Sequence, residues 1–281
     1  MPIALALASA VAYGVSDFLG GIFTRASTTW RVAFVGQASS TVSVAVVALF
    51  VSGTPVPADF AWAGASGIGS GLGAAFLYRG LGRSKMSIVA PVSAVGCALL
   101  PFLVGVGLGE RPGLLPLLGI AAAFPAIVLI SRTTDAEEPD TQPVSTRAGV
   151  VDGVLAGVGF GVMFVFLDRV GDDAGLTPMI ALYACSVLAV VLTAVALREP
   201  FLPRAGTDLR PLAMGPIGAF AVLTFLYATH EGLLSVVSVI ASLYPAATVL
   251  LAALLLAERV QRHQGVGLLL AALAVALVAT G

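Results

Sequence analysis

The chain has 281 residues, of which 58% are apolar and only 10% are charged, and its formal net charge is −1. Soluble domains carry about 25% charged residues, so this chain has too few to form a water-covered surface, and we expect lipid to surround it. The near-neutral charge supplies no basic surface for nucleic acid, which excludes that class of partner.

Apolar runs divide the sequence into ten segments, each long enough to cross a membrane as a helix. A helix of about 20 mostly apolar residues spans the hydrocarbon core of a bilayer. We therefore predict an all-α integral membrane protein with ten transmembrane helices. The predicted spans are 3–23, 32–52, 60–81, 86–108, 113–131, 148–167, 177–197, 211–230, 234–256 and 264–280.

The two halves of the sequence repeat one another. Residues 108–111 (LGER) end one apolar run, residues 256–259 (LAER) end another, and the two motifs lie 148 residues apart. Gly119 and Gly267 keep the same offset in the runs that follow. A duplicated unit in such an apolar chain is typical of transporters built from two repeats.

The number of spans in each repeat predicts how the two repeats are related. Each half crosses five times, so the second half starts on the opposite side of the membrane and the repeats are inverted. We predict a first five-helix repeat over 1–131, a polar cytoplasmic linker over 132–147 and a second five-helix repeat over 148–281. The linker is the one long polar stretch and contains four acidic residues and two prolines.

The cationic residues lie almost entirely on one side of the predicted spans. Only Arg111 and Arg169 fall in loops on the other side. The loops that hold most of the Arg and Lys are normally cytoplasmic. We therefore predict a multi-pass protein of the cell (inner or plasma) membrane with both termini outside. The residues on the predicted cytoplasmic side are Arg25, Arg31, Arg79, Arg83, Lys85, Arg132, Arg147, Arg198, Arg204, Arg210, Arg259 and Arg262.

The sequence contains a set of short motifs in both halves, namely residues 13–21 (YGVSDFLGG), 88–91 (IVAP) followed by LGER, and 243–245 (LYP) followed by LAER. Together these motifs resemble those of the EamA-type transporters of the drug/metabolite transporter superfamily. The resemblance runs through both halves in order. It implies ten helices in two inverted five-helix repeats and the transport of small metabolites, often as export. The chain departs from the repeat after Tyr227, where it is acidic (residues 228–231, ATHE) and its counterpart in the first half is basic.

Asp17 is the leading candidate for binding a proton or a substrate. It lies 14 residues after Ile3, about 21 Å along a helix, which places it within the apolar layer. Intramembrane carboxylates usually face a cavity or the interior of the bundle. Tyr13 lies one helical turn earlier, on the same face. The alternative is that Asp17 lies near the cytoplasmic end and pairs with an arginine.

Polar side chains recur on single faces of the second and seventh spans. Gln37 and Tyr183 belong to these faces and are further candidates for binding substrate or proton. Further candidates are Tyr78 and Tyr227, which end the FLY motif that both halves share (residues 76–78 and 225–227), and Tyr244 of the LYP motif. Such faces line a water-filled path or hydrogen-bond to neighbouring helices, and the sequence leaves both open.

Tyr227, His230 and Glu231 lie together at the end of the eighth span. An imidazole and a carboxylate beside a phenol are able to relay protons. The alternative is a helix end exposed to water.

Pro91 and Pro245 each interrupt a helical run near its first half. Proline removes a backbone donor and kinks a helix, which frees a carbonyl to face a cavity. A kink without any ligand contact fits the sequence equally well.

These features favour a secondary transporter that moves small metabolites or drugs by alternating access, in the export direction, driven by a proton gradient or by exchange. The alternative on the same scaffold is a flippase for a lipid-linked carrier. We expect no enzymatic activity, no cofactor and no metal, because no ATP-binding, zinc-hydrolase or serine-hydrolase motif occurs. The expected partners are a small solute and the lipid bilayer, and the expected oligomeric state is a monomer.

Overall fold

The structure is a computed structural model, and it describes residues 1–24, 26–81, 84, 86–131, 146–204, 206–256 and 259–280. All the regular secondary structure of these residues is helical. The α-helices are α1 (Pro2–Thr24), α2 (Thr29–Ala48), α3 (Pro57–Leu81), α4 (Met86–Gly107), α5 (Leu114–Ser131), α6 (Thr146–Leu167), α7 (Thr177–Leu197), α8 (Met214–Glu231), α9 (Leu234–Ala241), α10 (Tyr244–Leu255) and α11 (Arg262–Thr280).

The described residues form ten segments that are long and apolar enough to cross a membrane, with α9 and α10 together forming the ninth. The prediction of ten membrane-length helices is therefore confirmed. The second helix begins at Thr29, earlier than predicted, because the Thr28 side chain accepts a hydrogen bond from the Arg31 backbone N–H at 3.4 Å and so caps the first turn.

The ninth span is divided in two near its middle. α9 ends at Ala241, a turn follows at Ser242 and Leu243, and α10 begins at Tyr244. Pro245 lies in the first turn of α10, where its missing N–H breaks no helical hydrogen bond. In contrast, α4 runs continuously through Pro91. The two proline sites therefore differ in their backbone structure.

Helices of the two halves pack against each other in matching pairs. α3 packs on α6 and α7, and the corresponding helix of the second half, α8, packs on α1 and α2. α4 packs on α6, while its counterpart, the ninth span, packs on α1. This pattern is compatible with the predicted inverted repeat.

Glycines permit the close approach of these helices. A Cβ atom at Gly157 of α6 would lie 2.8 Å from the Ser93 carbonyl oxygen of α4, and one at Gly161 would lie 2.8 Å from the Leu100 Cβ. Both distances are too short for an ordinary contact, so only glycine fits at this spacing. The small residues on this face of α6 therefore serve packing against α4.

The bundle has two chemically different ends. We call the end where α1, α3, α5, α7 and α10 finish the Arg-rich end, since most of the Arg residues lie there, and the other the Arg-poor end. Two short 3₁₀ segments lie outside the long helices. Asp172–Ala174 lies between α6 and α7 at the Arg-poor end, and Gly206–Ala213 precedes α8 at the Arg-rich end.

A candidate substrate cavity between the two halves

A cavity of about 150 Å³ lies between the two halves of the bundle, and eight of the ten spans contribute to its wall. The pair α5 and α11 packs together away from it. The lining residues are Tyr13, Ser16, Asp17, Val32, Ala33, Gly36, Gln37, Ser40, Ser70, Ala74, Leu77, Cys97, Phe160, Met163, Phe164, Tyr183, Met214, Gly218, Val222 and Tyr244.

The cavity extends toward the Arg-rich end. Val32 lies in the first turn of α2 and Met214 is the first residue of α8, and both helices begin at that end. Leu77 lies four residues before the end of α3, which finishes there. The cavity therefore reaches from the middle of the bundle to its Arg-rich end.

Asp17 supplies the charge of the cavity wall among the described lining residues. Its side chain is exposed, although it lies within α1 and seven residues from the end of that helix. It is close enough to Tyr13 and Tyr244 to act on both electrostatically. A carboxylate at this depth is costly in lipid, so a water-accessible cavity is the environment that accommodates it.

Aromatic rings form much of the wall beside Asp17. The Tyr13 ring lies 6.2 Å from the Phe164 ring and 6.5 Å from the Tyr244 ring, measured between centroids. The Tyr13 hydroxyl is buried and has no hydrogen-bond partner among the described residues. By contrast, the Tyr183 hydroxyl donates to the Gly218 carbonyl at 2.8 Å and so joins α7 to α8. Tyr13 thus keeps an unused donor and acceptor beside the carboxylate.

A stacked pair of phenylalanines closes the cavity toward the Arg-poor end. The rings of Phe164 and Phe225 lie 4.1 Å apart at an interplanar angle of 11°. Phe164 lines the cavity, Phe225 lies behind it, and both are almost completely buried. The rings form an apolar barrier between the cavity and that end of the bundle.

Carboxylates bind backbone amides at the Arg-poor end and join its loops. Asp59, at the start of α3, accepts from the N–H of Val56 at 2.8 Å and from that of Gly171, beyond α6, at 2.9 Å. Glu110 accepts from the N–H groups of Leu234 and Ser235, both at 2.9 Å, and so caps α9. Glu110 of the LGER motif therefore caps α9, whereas Glu258 of the LAER motif lies outside the described residues.

The loop after α6 adds a second group of charges at this end. His230 Nε2 lies 3.0 Å from the Val170 carbonyl oxygen, and its Nδ1 lies 3.3 Å from Asp172 Oδ1. Burial raises the pKa of the nearby Asp168 carboxyl to about 6, with a further upward effect from Glu110, while Arg169 and His230 oppose the rise. Asp168 therefore titrates closer to neutrality than an ordinary carboxyl.

Two buried carboxylates pair with arginines at the Arg-rich end. Asp208 accepts from the Ser27 hydroxyl at 2.5 Å and the Arg204 backbone N–H at 2.7 Å, and it lies 3.6 Å from an Arg31 Nη. Asp152 of α6 accepts from Arg79 of α3 at 3.0 and 2.5 Å. Neither Arg31 nor Arg79 lines the cavity. The charge of each of these two arginines is balanced by the carboxylate beside it.

The structure brings five of the predicted candidates together in the cavity wall: Tyr13, Asp17, Gln37, Tyr183 and Tyr244. The other predicted residues are placed elsewhere. Tyr227 is exposed on the outer surface of α8, and His230 and Glu231 lie at the Arg-poor end, away from the cavity. The Tyr78 side chain lies outside the described part of the structure.

Sequence reasoning missed the apolar half of the wall. Phe160, Met163 and Phe164 of α6 face the cavity, but apolar residues in a membrane helix look the same whether they face lipid or a cavity. A single cysteine within an apolar run indicates only a small buried hydrophobe. Cys97 is buried, but it also lines the cavity, and its thiol lies 3.7 Å from the Ser242 hydroxyl at the break between α9 and α10.

Comparison with known proteins agrees with this architecture. A solved crystal structure matches the chain with a TM-score of 0.76 and 17% sequence identity, covering 98% of this chain and 95% of the other, which shows a shared fold. No curated protein matches the sequence. The model of the EamA-like transporter family matches residues 147–280. These residues hold the second group of five spans, so this half of the chain is similar to the EamA-like transporter family.

Proposed function

We propose that the protein is a secondary transporter that exports a small metabolite or drug through the central cavity by alternating access. The observation that carries this proposal is the cavity itself, which lies between the halves, reaches the Arg-rich end and is closed by Phe164 and Phe225 toward the other. With the Arg-rich end in the cytoplasm, this arrangement is an inward-open state of a cell-membrane protein.

Alternating access requires the two halves to exchange roles. The matching helix pairs support this, because a rocking motion that opens the α3 and α6 side would close the α8 and α1 side. Glycine contacts at these interfaces leave few large side chains to disengage during such a motion. The ten spans of one chain supply both halves, so we propose that a monomer is sufficient.

Asp17 is the group that we propose to couple transport to protons. It is a titratable side chain in the cavity, and its exposure allows a proton to reach it from the Arg-rich end. The Asp17→Asn variant should still exchange a saturating solute across the membrane, but a pH gradient should no longer drive accumulation. Accumulation that still follows the pH gradient in this variant would remove Asp17 from the coupling mechanism.

The proposed function is tested by counterflow in proteoliposomes loaded in turn with amino acids, sugars and cationic drugs. We expect at least one solute to exchange with its labelled form faster than in protein-free liposomes. A fluorescent lipid is the parallel probe. If the lipid crosses the bilayer while no solute exchanges, the proposed transport of solutes is wrong and the lipid-linked flippase replaces it.

The proposed orientation has its own test. A tag placed after Gly281 should be reachable by an antibody from outside intact cells, since both termini are expected outside. A tag in the 132–147 linker should be reachable only after the cells are permeabilised. The reverse pattern would mean that the cavity faces outward in this state.

A further inference from the structure

We propose that the cavity selects small organic cations, namely amines with a compact apolar body. This inference rests on the proposed transport function and names the class of solute. It follows from three properties of the cavity wall, which are its charge, its aromatic surface and its volume.

The charge of the wall favours a cation. Asp17 is the charged side chain among the described lining residues, and it is exposed to the cavity. A carboxylate in a partly dehydrated cavity attracts a cation and repels an anion far more strongly than it would in water. A neutral solute gains at most a hydrogen bond to this carboxylate, whereas an amine gains an ion pair as well.

The arginines closest to the cavity mouth do not reverse this charge. Arg31 and Arg79 stay outside the lining, and each lies against a buried carboxylate, Asp208 and Asp152 respectively. Arg79 also lies 4.6 Å above the Phe76 ring, which further fixes its position. An anionic solute would therefore meet the Asp17 carboxylate without a cation in the described wall to offset it.

The surface beside Asp17 suits the body of such a cation. Tyr13, Phe164 and Tyr244 present aromatic rings, whose negative faces attract ammonium groups. Met163 adds a polarizable thioether that packs well against an apolar body.

The volume limits the size of the cation. A cavity of about 150 Å³ holds a single six-membered ring, as apolar cavities of this size bind benzene. A primary amine on a short arm attached to one ring satisfies the charge, the aromatic surface and the volume together.

The test compares three ligands that share one ring and one arm length. 2-Phenylethylamine, 2-phenylethanol and phenylacetate carry a positive, a neutral and a negative group, and calorimetry measures their binding to the purified full chain. We expect the amine to bind about tenfold more tightly than the alcohol, and the acid to bind more weakly than the alcohol. Equal binding of the three ligands, or preferred binding of the acid, would overturn the proposal. This comparison uses the wild-type protein alone.

Variants then assign the selectivity to Asp17. Asp17→Asn should bind the amine and the alcohol equally, while Asp17→Glu should retain the preference for the amine. Asp173→Asn, which removes an exposed carboxylate from the loop after α6, is the matched control and should bind as the wild type does. A preference for the amine that survives in Asp17→Asn would contradict the proposal.

Counterflow separates this inference from the proposed function. If neutral or anionic solutes exchange while amines neither bind nor exchange, selection of cations is wrong and solute transport stands. If the amine binds through Asp17 but no solute exchanges, the transport function fails while the cation site stands.

Discussion

Phe164 and Phe225 stack nearly face to face, with ring centroids 4.1 Å apart and an interplanar angle of 11°. The two residues come from α6 and α8 of the second half, but α6 packs on α3 and α4, whereas α8 packs on α1 and α2. Their contact therefore closes the cavity only while these two groups of helices are close together at the Arg-poor end. Separation of the rings is the change that would open the cavity on that side.

The Phe225→Ala variant should make the cavity reachable from both ends. A cysteine at Ser16, placed in a chain whose native Cys97 and Cys185 are replaced by serine, reports access to the cavity. With Phe225 intact, a membrane-impermeant thiol reagent should label the cysteine at position 16 only from the Arg-rich side. In the Phe225→Ala variant, labelling of this cysteine from the Arg-poor side should appear.

Phe220→Ala is the matched control, because Phe220 lies on the same helix and is 52% exposed on its outer surface. Removal of a buried phenylalanine costs about 3–5 kcal/mol, so the fold of each variant is checked by size-exclusion chromatography. One-sided labelling in a folded Phe225→Ala protein would show that another contact closes this end.

Much of the helical framework could be predicted from the sequence, because apolar length and loop charge are local properties of the chain. All ten spans occur close to their predicted positions, and the ninth is additionally broken at Ser242 and Leu243. Apolarity alone does not show such a break, since the residues on both sides of it are equally apolar.

The site was predictable only where polar residues occur inside apolar runs. Asp17 and Gln37 stand out in such runs, and both line the cavity. Phe164 does not stand out, because its role depends on Phe225, which lies 61 positions further along the chain. His230 stands out equally, yet it binds the loop after α6 instead of the cavity. Whether a residue such as Phe164 or His230 faces the cavity is decided by packing between distant parts of the chain.

Asp208→Asn should destabilise the Arg-rich end. The buried carboxylate accepts from Ser27 and from the Arg204 backbone and lies beside Arg31, so an amide would leave donors unpaired and the arginine unbalanced. Breaking a buried ion pair costs about 3–5 kcal/mol, which lowers the Tm by about 6 °C or more in a chain of this size. Thermal unfolding followed by tryptophan fluorescence measures the change. The exposed Asp173→Asn variant should unfold at the wild-type temperature, and an equal Tm for Asp208→Asn would refute the structural role.

Asp168→Asn should raise stability at pH 8 and have little effect at low pH. Burial raises the pKa of Asp168 to about 6 in the folded protein, above the ordinary value of 3.8 that the unfolded chain retains. The folded state therefore holds the proton more tightly, and its stability falls as the pH rises from about 4 to 6 and stays lower above that. The Tm difference between variant and wild type should be positive at pH 8 and should shrink toward pH 4. A difference that is constant with pH would be inconsistent with this titration.

Gly119→Ala and Gly267→Ala should destabilise the protein to a similar extent. A Cβ at Gly119 would lie 2.7 Å from the Val278 side chain, and one at Gly267 would lie 2.8 Å from that of Ile130, which is 148 residues before Val278. Overpacking of this kind typically costs about 1–3 kcal/mol. Gly265→Ala, on the same helix but with open space around its Cβ, should leave the Tm unchanged or raise it. A large effect at only one of the two matched glycines would argue against equivalent packing of the repeats.

Blocking of counterflow by a label inside the cavity tests the central claim, that solute crosses through this space. A cysteine at Ser16 lies in the cavity wall, and one at Val11, which is 54% exposed on the outer face of α1, is the matched control. Both are introduced into the chain without native cysteines, and counterflow is measured before and after modification with a bulky thiol reagent. We expect modification at position 16 to abolish counterflow, solute to slow that modification, and modification at position 11 to leave counterflow intact. Undiminished counterflow after complete modification at position 16 would contradict transport through the cavity.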